Sequence, residues 1–89
     1  MKEKKCEHIK SIETVNKGDT YECEECAEYG GTWVHLRTCQ VCGVTLCCDS
    51  SPAKHITRHN HTTGHKVIAS AEPGEQWLWC YEHEAYAKY

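Results

Sequence analysis

The chain carries 8 cysteines and 7 histidines among 89 residues, and most of them stand in short, regularly spaced pairs. Two Cys-x-x-Cys pairs each allow one tight turn to present two thiolates to the same ion. Zinc takes four sulfur or nitrogen donors in a tetrahedron, so the pattern predicts a fold organised around more than one zinc ion. The pairs are Cys6/His8, Cys23/Cys26, Cys39/Cys42, His55/His59 and Cys80/His83, with Cys47, Cys48 and His65 as single candidates.

A disulfide scaffold is the alternative for an even number of cysteines in a small chain. Disulfide bonds have no use for histidine, whereas these histidines stand beside the cysteines at the spacings of zinc ligands. Residues 1–5 lead into no apolar segment of the kind that a secretory signal contains. We therefore expect a cytoplasmic protein whose thiols are reduced or metal-bound.

The length of 89 residues is that of one domain, close to the lower limit of what a hydrophobic core stabilises unaided. There is no phenylalanine, and the apolar fraction of 39% includes cysteines that would bind metal. Each structural zinc ion contributes on the order of 10 kcal/mol of apparent folding free energy at neutral pH. We expect a single domain over residues 1–89, disordered at residues 1–5, whose metal-free form is unfolded or molten.

The formal net charge of −3 argues against nucleic acid as a partner. Proteins that bind nucleic acid usually carry a surplus of Lys and Arg that releases counterions from phosphate. Three zinc ions bound through seven thiolates would leave the charge at about −4. No apolar run approaches the roughly 20 residues that a membrane helix needs. We expect a monomer that interacts with a peptide or a protein, and with neither nucleic acid nor membrane.

Secondary-structure signals are short and separated by turns. A serine and a proline before residue 53 predict the start of one principal helix, and Gly64 follows its end. The first 20 residues read as mostly irregular. The pattern therefore predicts a small α+β domain with a sheet of about four strands, one principal helix and metal-held loops. The strands are predicted at 32–37, 44–47, 66–70 and 76–81, the helix at 52–60, and turns at 16–19 and 72–75.

Catalytic zinc would need three protein ligands and an open position for water. The His55-x-x-x-His59 pair has Ile56 where zinc peptidases carry a glutamate as general base. The residues before the two Cys-x-x-Cys pairs, Glu22 and Thr38, are not the proline of zinc deaminases. The available donors suffice for three closed tetrahedra, so we do not expect an enzyme.

The order of these motifs along the chain resembles that of the ubiquitin-specific-protease-type (UBP-type) zinc finger. The residues within the motifs are most similar to those of the bacterial members of the family. The resemblance extends from Cys6 to about Tyr86. It is carried by Trp33-Val34, the Cys39/Cys42 pair, Cys47-Cys48-Asp49-Ser50-Ser51-Pro52, His55…His59, Thr63-Gly64-His65, Glu72-Pro73-Gly74-Glu75 and Trp79-Cys80-Tyr81.

The resemblance to three-zinc members of this family implies three interleaved ligand sets. One set joins the two ends of the chain: Cys6, His8, Cys80 and His83. A second joins the first Cys-x-x-Cys pair to later residues: Cys23, Cys26, Cys47 and His55. The third comprises Cys39, Cys42, His59 and His65. His83 replaces a cysteine often found in the family, and Cys48 is the alternative to its neighbour Cys47. His35 and His61 are left over and are predicted to face solvent.

Eukaryotic members of the family hold the free C-terminal Gly-Gly of ubiquitin in an aromatic pocket, where an arginine pairs with the terminal carboxylate. The resemblance places Trp33, Trp79, Tyr81 and Tyr86 at or near the pocket positions, although the stretch after Trp33 is a few residues longer. Asp49 stands where the arginine would be. An aspartate repels a carboxylate in a partly desolvated pocket, so we expect ubiquitin not to bind there.

Two functions follow as expectations. The first is a zinc-binding interaction module whose pocket, with an altered charge preference, receives a peptide terminus, a small ligand or part of a protein. The second is a structural or zinc-buffering domain without a ligand pocket. In the second, the aromatic side chains would only fill a core that lacks phenylalanine, and Asp49 would cap the helix that begins at Pro52.

Overall fold

The computed structural model describes residues 6–18 and 21–89. The disorder predicted for residues 1–5, and part of the turn predicted at 16–19, lie outside these residues. The described elements, in chain order, are α1 (Glu7–Lys10), α2 (Glu24–Tyr29), β1 (Leu36–Cys39), β2 (Thr45–Cys47), α3 (His55–Thr63), β3 (Val67–Ser70), β4 (Trp77–Cys80) and β5 (Ala85–Lys88).

The strands form one antiparallel sheet in the order β2-β1-β3-β4-β5. The predicted α+β class is confirmed, and the sheet has five strands where about four were expected. The additional strand is β5, whose sequence Ala-Tyr-Ala-Lys lacks the β-branched residues that mark a strand. It forms because a turn over residues 81–84 folds it back onto β4.

Side chains of β4 alternate between the two faces of the sheet. Leu78 and Cys80 are buried on one face, where Ile9 of α1 packs against them. Trp77 and Trp79 are half-buried on the other face. Helix α3 packs on the β1 and β2 half of the sheet and buries Ile56, so the β4 and β5 half is left partly open.

Two short helices stand where no helix was predicted. Cys6 is the N-cap of α1, which holds the buried Ile9 against the sheet. The first Cys-x-x-Cys pair lies at the start of α2, where the Cys23 sulfur accepts a hydrogen bond from the Cys26 N–H. Gly30 ends α2 in the left-handed conformation with φ of 72°. Both helices are too short to show a helical hydrophobic period in the sequence.

The principal helix, α3, begins at His55 and not at Pro52 as predicted. The serine expected to cap it, Ser51, instead uses its hydroxyl to accept a hydrogen bond from the Val34 N–H at 2.8 Å. Lys54 occupies the N-cap position with φ of 50°, and its side chain makes no capping hydrogen bond. The predicted end is confirmed, because Gly64 terminates the helix in the left-handed conformation. Within the described residues, no helix is both long and apolar enough to cross a membrane.

Candidate metal centres and ligand pocket

Three groups of four Cys and His side chains converge in the described part of the chain, and within each group the donor atoms all lie within 4.8 Å of one another. Their membership is the same as that of the three sets implied by the resemblance. We name them the core centre, the helix centre and the terminal centre. The core centre is Cys23, Cys26, Cys47 and His55; the helix centre is Cys39, Cys42, His59 and His65; the terminal centre is Cys6, His8, Cys80 and His83.

The core centre is completely buried. The His55 Nδ1 atom lies 3.3 Å from Cys23 Sγ, 3.4 Å from Cys26 Sγ and 3.5 Å from Cys47 Sγ. The sulfurs of Cys26 and Cys47 are 3.9 Å apart, far beyond bonding distance. Ordinary zinc–sulfur and zinc–nitrogen bond lengths give tetrahedral edges of about 3.6 Å for S···N and about 3.8 Å for S···S. The donor set therefore fits a single zinc ion.

The helix centre joins β1 and the turn after it to the second half of α3. His59 Nε2 lies 3.4 Å from Cys42 Sγ and 3.2 Å from His65 Nδ1, which is in turn 3.5 Å from Cys39 Sγ. A zinc tetrahedron has an N···N edge of about 3.3 Å, so these separations also match. Since α3 supplies His55 to one centre and His59 to the other, and His65 follows its end, the two centres hold the same helix.

The terminal centre joins α1 to β4 and the turn that follows it. Cys80 Sγ lies 3.4 Å from His8 Nδ1 and 3.7 Å from His83 Nδ1, and the two imidazole rings stack with centroids 4.9 Å apart. The Nε2 atoms of His8 and His83 lie 3.9 and 3.7 Å from the same carboxylate oxygen of Glu82. This carboxylate faces the far nitrogens of both imidazoles but lies beyond direct hydrogen-bond distance of either.

Burial makes several of these thiols hard to ionise without a cation. It raises the pKa of Cys39, of Cys47 and of Cys80, because a thiolate in a poorly solvated position loses the stabilisation of water. Burial opposes ionisation of Cys6 as well, but hydrogen bonds from the Ile9 backbone and the His83 side chain lower its pKa to about 7. A divalent cation at each centre would stabilise the thiolates, as zinc binding requires.

The remaining thiol and two histidines lie outside the three groups. Cys48 is buried, and its sulfur lies 3.7 Å from the Ser51 hydroxyl, whereas its neighbour Cys47 faces the core centre. His35 and His61 are exposed, as predicted. None of the 8 cysteines, all of which lie among the described residues, forms a disulfide.

A pocket of about 570 Å³ opens beside α3 on the sheet face that carries Trp77, Trp79 and Tyr86. Trp79 pairs with Tyr86 across β4 and β5, so these two side chains lie next to each other, and the rings of Trp77 and Tyr86 are 6.0 Å apart. The other lining residues are Arg37, Cys48, Asp49, Ile56, Thr57, Ile68, Tyr81 and Glu84.

A chain of hydroxyl groups fixes one wall of the pocket. The Thr57 hydroxyl donates a hydrogen bond to the Asp49 carboxylate, and the Tyr81 hydroxyl lies 3.1 Å from the same Thr57 oxygen. Because Thr57 uses its proton on Asp49, Tyr81 is the donor to Thr57. Burial raises the pKa of Tyr81, so its phenol keeps the proton that this arrangement needs.

Residues 23–89 match the family described as "Zn-finger in ubiquitin-hydrolases and other protein". The chain belongs to this family. It is also similar to the solution NMR structure of Protein RPA1320 from Rhodopseudomonas palustris, with a TM-score of 0.83 and 47% sequence identity. The alignment covers 96% of this chain and 82% of the other. No curated protein matches the sequence.

In this UBP-type zinc finger, four of the five predicted pocket residues line the pocket: Asp49, Trp79, Tyr81 and Tyr86. Trp33 is not among the described lining residues and packs half-buried against the hydrophobic core beside the core centre. Sequence reasoning missed Trp77, although its position two residues before Trp79 places both on one sheet face. Arg37 also lines the pocket and was not among the predicted pocket residues.

Arg37 is the basic residue in the lining, and its charge is already engaged. Its Nη1 donates to the Leu36 carbonyl at 2.9 Å and lies 3.9 Å from a carboxylate oxygen of Glu75. The guanidinium carbon also lies 4.7 Å from the centroid of the Trp77 ring. A hydrogen bond from the Ser70 hydroxyl lowers the pKa of Glu75, and Arg37 contributes further, so this partner stays ionised. Arg37 therefore does not simply replace the arginine that is absent at position 49.

Proposed function

We propose that this zinc finger is a non-catalytic module that binds three zinc ions, one at each centre. Two independent observations support this: the family match and the convergence of the donors into three groups of four, each with all donor atoms within 4.8 Å of one another. Because each group already provides four donors, no open position is left at which zinc could activate water. Reduced, zinc-bound thiols also suit a cytoplasmic protein.

The pocket is proposed to bind an exposed segment or terminus of a partner protein. The observation that carries this proposal is a concave surface with four aromatic side chains, Trp77, Trp79, Tyr81 and Tyr86, beside a hydrogen-bonded carboxylate at Asp49. Such pockets combine apolar contact area with a few oriented polar groups that select the ligand. With Asp49 in the lining and Arg37 engaged by Glu75, the pocket is not suited to the free C-terminus of ubiquitin.

A structural domain without a ligand is the second candidate. It is favoured by the packing of Trp79 and Tyr81, both of which contact the hydrophobic core around the core centre. In that case the two side chains would serve stability alone, and the pocket would be a gap between α3 and the sheet.

Titration of the zinc-loaded protein with short peptides distinguishes the two candidates. Peptides of one sequence would be prepared with a free or amidated C-terminus and a free or acetylated N-terminus. Binding would be followed through the indole N–H signals of the three tryptophans in a ¹H–¹⁵N spectrum. The interaction module predicts saturable shifts of Trp77 and Trp79 with at least one peptide, and Trp33 serves as the internal reference outside the pocket. A complete absence of shifts would favour the structural domain.

A further inference from the structure

The pocket combines aromatic faces with uncompensated negative charge. Asp49 and Glu84 are its two carboxylate side chains, and both are exposed. Among the described contacts, neither forms an ion pair with a basic side chain, and the partner of Asp49 is the neutral hydroxyl of Thr57. The positive group in the lining is Arg37, whose side chain is only 15% exposed and faces Glu75. The charged side chains of the lining therefore carry a formal surplus of one negative charge, from Asp49 and Glu84 against Arg37.

The aromatic rings favour the same kind of ligand. The face of an indole or phenol ring is the negative end of its quadrupole and attracts cations. The protein already uses this property once, because the Arg37 guanidinium lies over the ring of Trp77. Trp79 and Tyr86, paired across β4 and β5, carry no cation in any described contact.

We propose that the pocket binds an alkylammonium group of a peptide, either a lysine side chain or an N-terminal amine. The ammonium lies against the rings of Trp79 and Tyr86, and the Asp49 carboxylate neutralises its charge. This inference rests on the proposed interaction function and specifies the chemistry of the ligand. A carboxylate is disfavoured by Asp49 and Glu84, and a neutral apolar group gains nothing from either charge.

The hydroxyl chain explains how Asp49 is held for this role. The Tyr81 hydroxyl donates to Thr57, which donates to Asp49, so the carboxylate is fixed at the pocket wall by a side chain of α3. Each hydroxyl donates toward Asp49, which leaves the second carboxylate oxygen available to face the positive charge of an ammonium group.

The test compares a cation with a neutral ligand of the same shape. Nα-acetyl-trimethyllysine methylamide and its carbon isostere, in which a tert-butyl group replaces the trimethylammonium group, would be titrated into the zinc-loaded protein. Nα-acetyl-lysine methylamide and a peptide with a free N-terminal amine distinguish the two sources of ammonium. The cation is predicted to bind about tenfold more tightly than its isostere, with shifts at the Trp79 indole.

Two matched variants test the residues. Asp49→Asn keeps the size of the side chain and removes its charge, and it is predicted to weaken the cation about two- to fivefold while leaving the isostere unchanged. Glu28→Gln is the control: it removes an exposed charge on α2, outside the pocket lining, and should change the binding of neither the cation nor the isostere. Zinc content and the spectrum of each variant verify that it is folded.

The outcomes separate this inference from the proposed function. Equal binding of the cation and the isostere, or unchanged cation binding in Asp49→Asn, would overturn the ammonium inference. Binding of carboxylate-terminated peptides in preference to both would overturn it too, while leaving an interaction module in place. If none of the cations, isosteres or peptides shifts the pocket tryptophans, both the inference and the interaction function fail.

Discussion

The Glu82 carboxylate lies 3.7 Å from Nε2 of His83, on the side of the imidazole opposite to the nitrogen that faces Cys80. The same oxygen lies 3.9 Å from Nε2 of His8, and the other carboxylate oxygen lies 3.6 Å from the ammonium group of Lys66. One exposed carboxylate thus faces both histidines of the terminal centre, beyond direct hydrogen-bond distance of either.

Glu82→Gln is predicted to weaken zinc binding at the terminal centre about two- to fivefold, because it removes an exposed negative charge that faces the histidines His8 and His83. The helix and core centres should keep their affinity for zinc, because Glu82 has no described contact with their histidines. Competition with a chromophoric chelator measures the dissociation constants. Glu13→Gln, which removes an exposed charge elsewhere, is the control. Equal affinities in the two variants would show that Glu82 has no supporting role.

Cys23→Ser is predicted to prevent folding, since the core centre loses a thiolate ligand and with it on the order of 10 kcal/mol of zinc-dependent stability. Cys39→Ser should do the same through the helix centre. His61→Ala, an exposed change on α3, should alter the free energy of unfolding by less than about 0.5 kcal/mol. Near-ultraviolet circular dichroism and zinc content report on all three. Release of a metal ion by His61→Ala would mean that the histidines are wrongly assigned.

Asp49→Arg is predicted to improve binding of a peptide that ends in a free Gly-Gly carboxylate. The substitution exchanges like-charge repulsion for a charge-assisted hydrogen bond, an interaction worth about 1.5–3 kcal/mol when well formed. Calorimetric titration of both proteins with the free and the amidated peptide measures the change. No gain for the free acid would indicate that the longer stretch after Trp33 has reshaped the pocket. Tight binding of ubiquitin by the unmodified protein would contradict the account of Asp49.

Gly18→Ala is predicted to destabilise the fold by about 1–3 kcal/mol more than Gly74→Ala, because added volume at a packed position forces neighbouring groups apart. The two glycines have nearly the same φ, 83° and 84°, so both substitutions carry similar backbone strain. A Cβ at Gly18 would overlap the Thr45 hydroxyl, whereas one at Gly74 meets nothing within 4 Å. Thermal unfolding of the zinc-loaded variants compares them, and equal midpoints would contradict the close packing at Gly18.

The sequence predicted the parts of the fold that depend on residue type and spacing. Zinc ligands are restricted to a few side chains, and the end of α3 needs a residue such as Gly64 that adopts a positive φ. The candidate zinc ligands and the end of α3 could therefore be predicted from the sequence alone. The grouping of the ligands could not, because residues at opposite ends of the chain share the terminal centre, and that grouping came from the resemblance to a family.

The features that were missed depend on tertiary contacts. Ser51 and Pro52 look like a helix start, but the Ser51 hydroxyl is used by Val34 from a distant segment, so α3 begins later. The interaction of Arg37 with Trp77 joins β1 to β4, across the intervening β3, and neither position is remarkable in the sequence. Trp33 is a predicted pocket residue that the structure places elsewhere: it packs against the hydrophobic core.

The zinc content of the native protein tests the central claim most directly. Native mass spectrometry, supported by elemental analysis of the same sample, is predicted to give three zinc ions per chain, one for each group of four donors. Loss of these ions to a strong chelator should abolish the near-ultraviolet circular dichroism, because the small core depends on them. A ratio of two would point to a terminal centre that does not bind zinc. A ratio near one would contradict the account of three centres holding this fold.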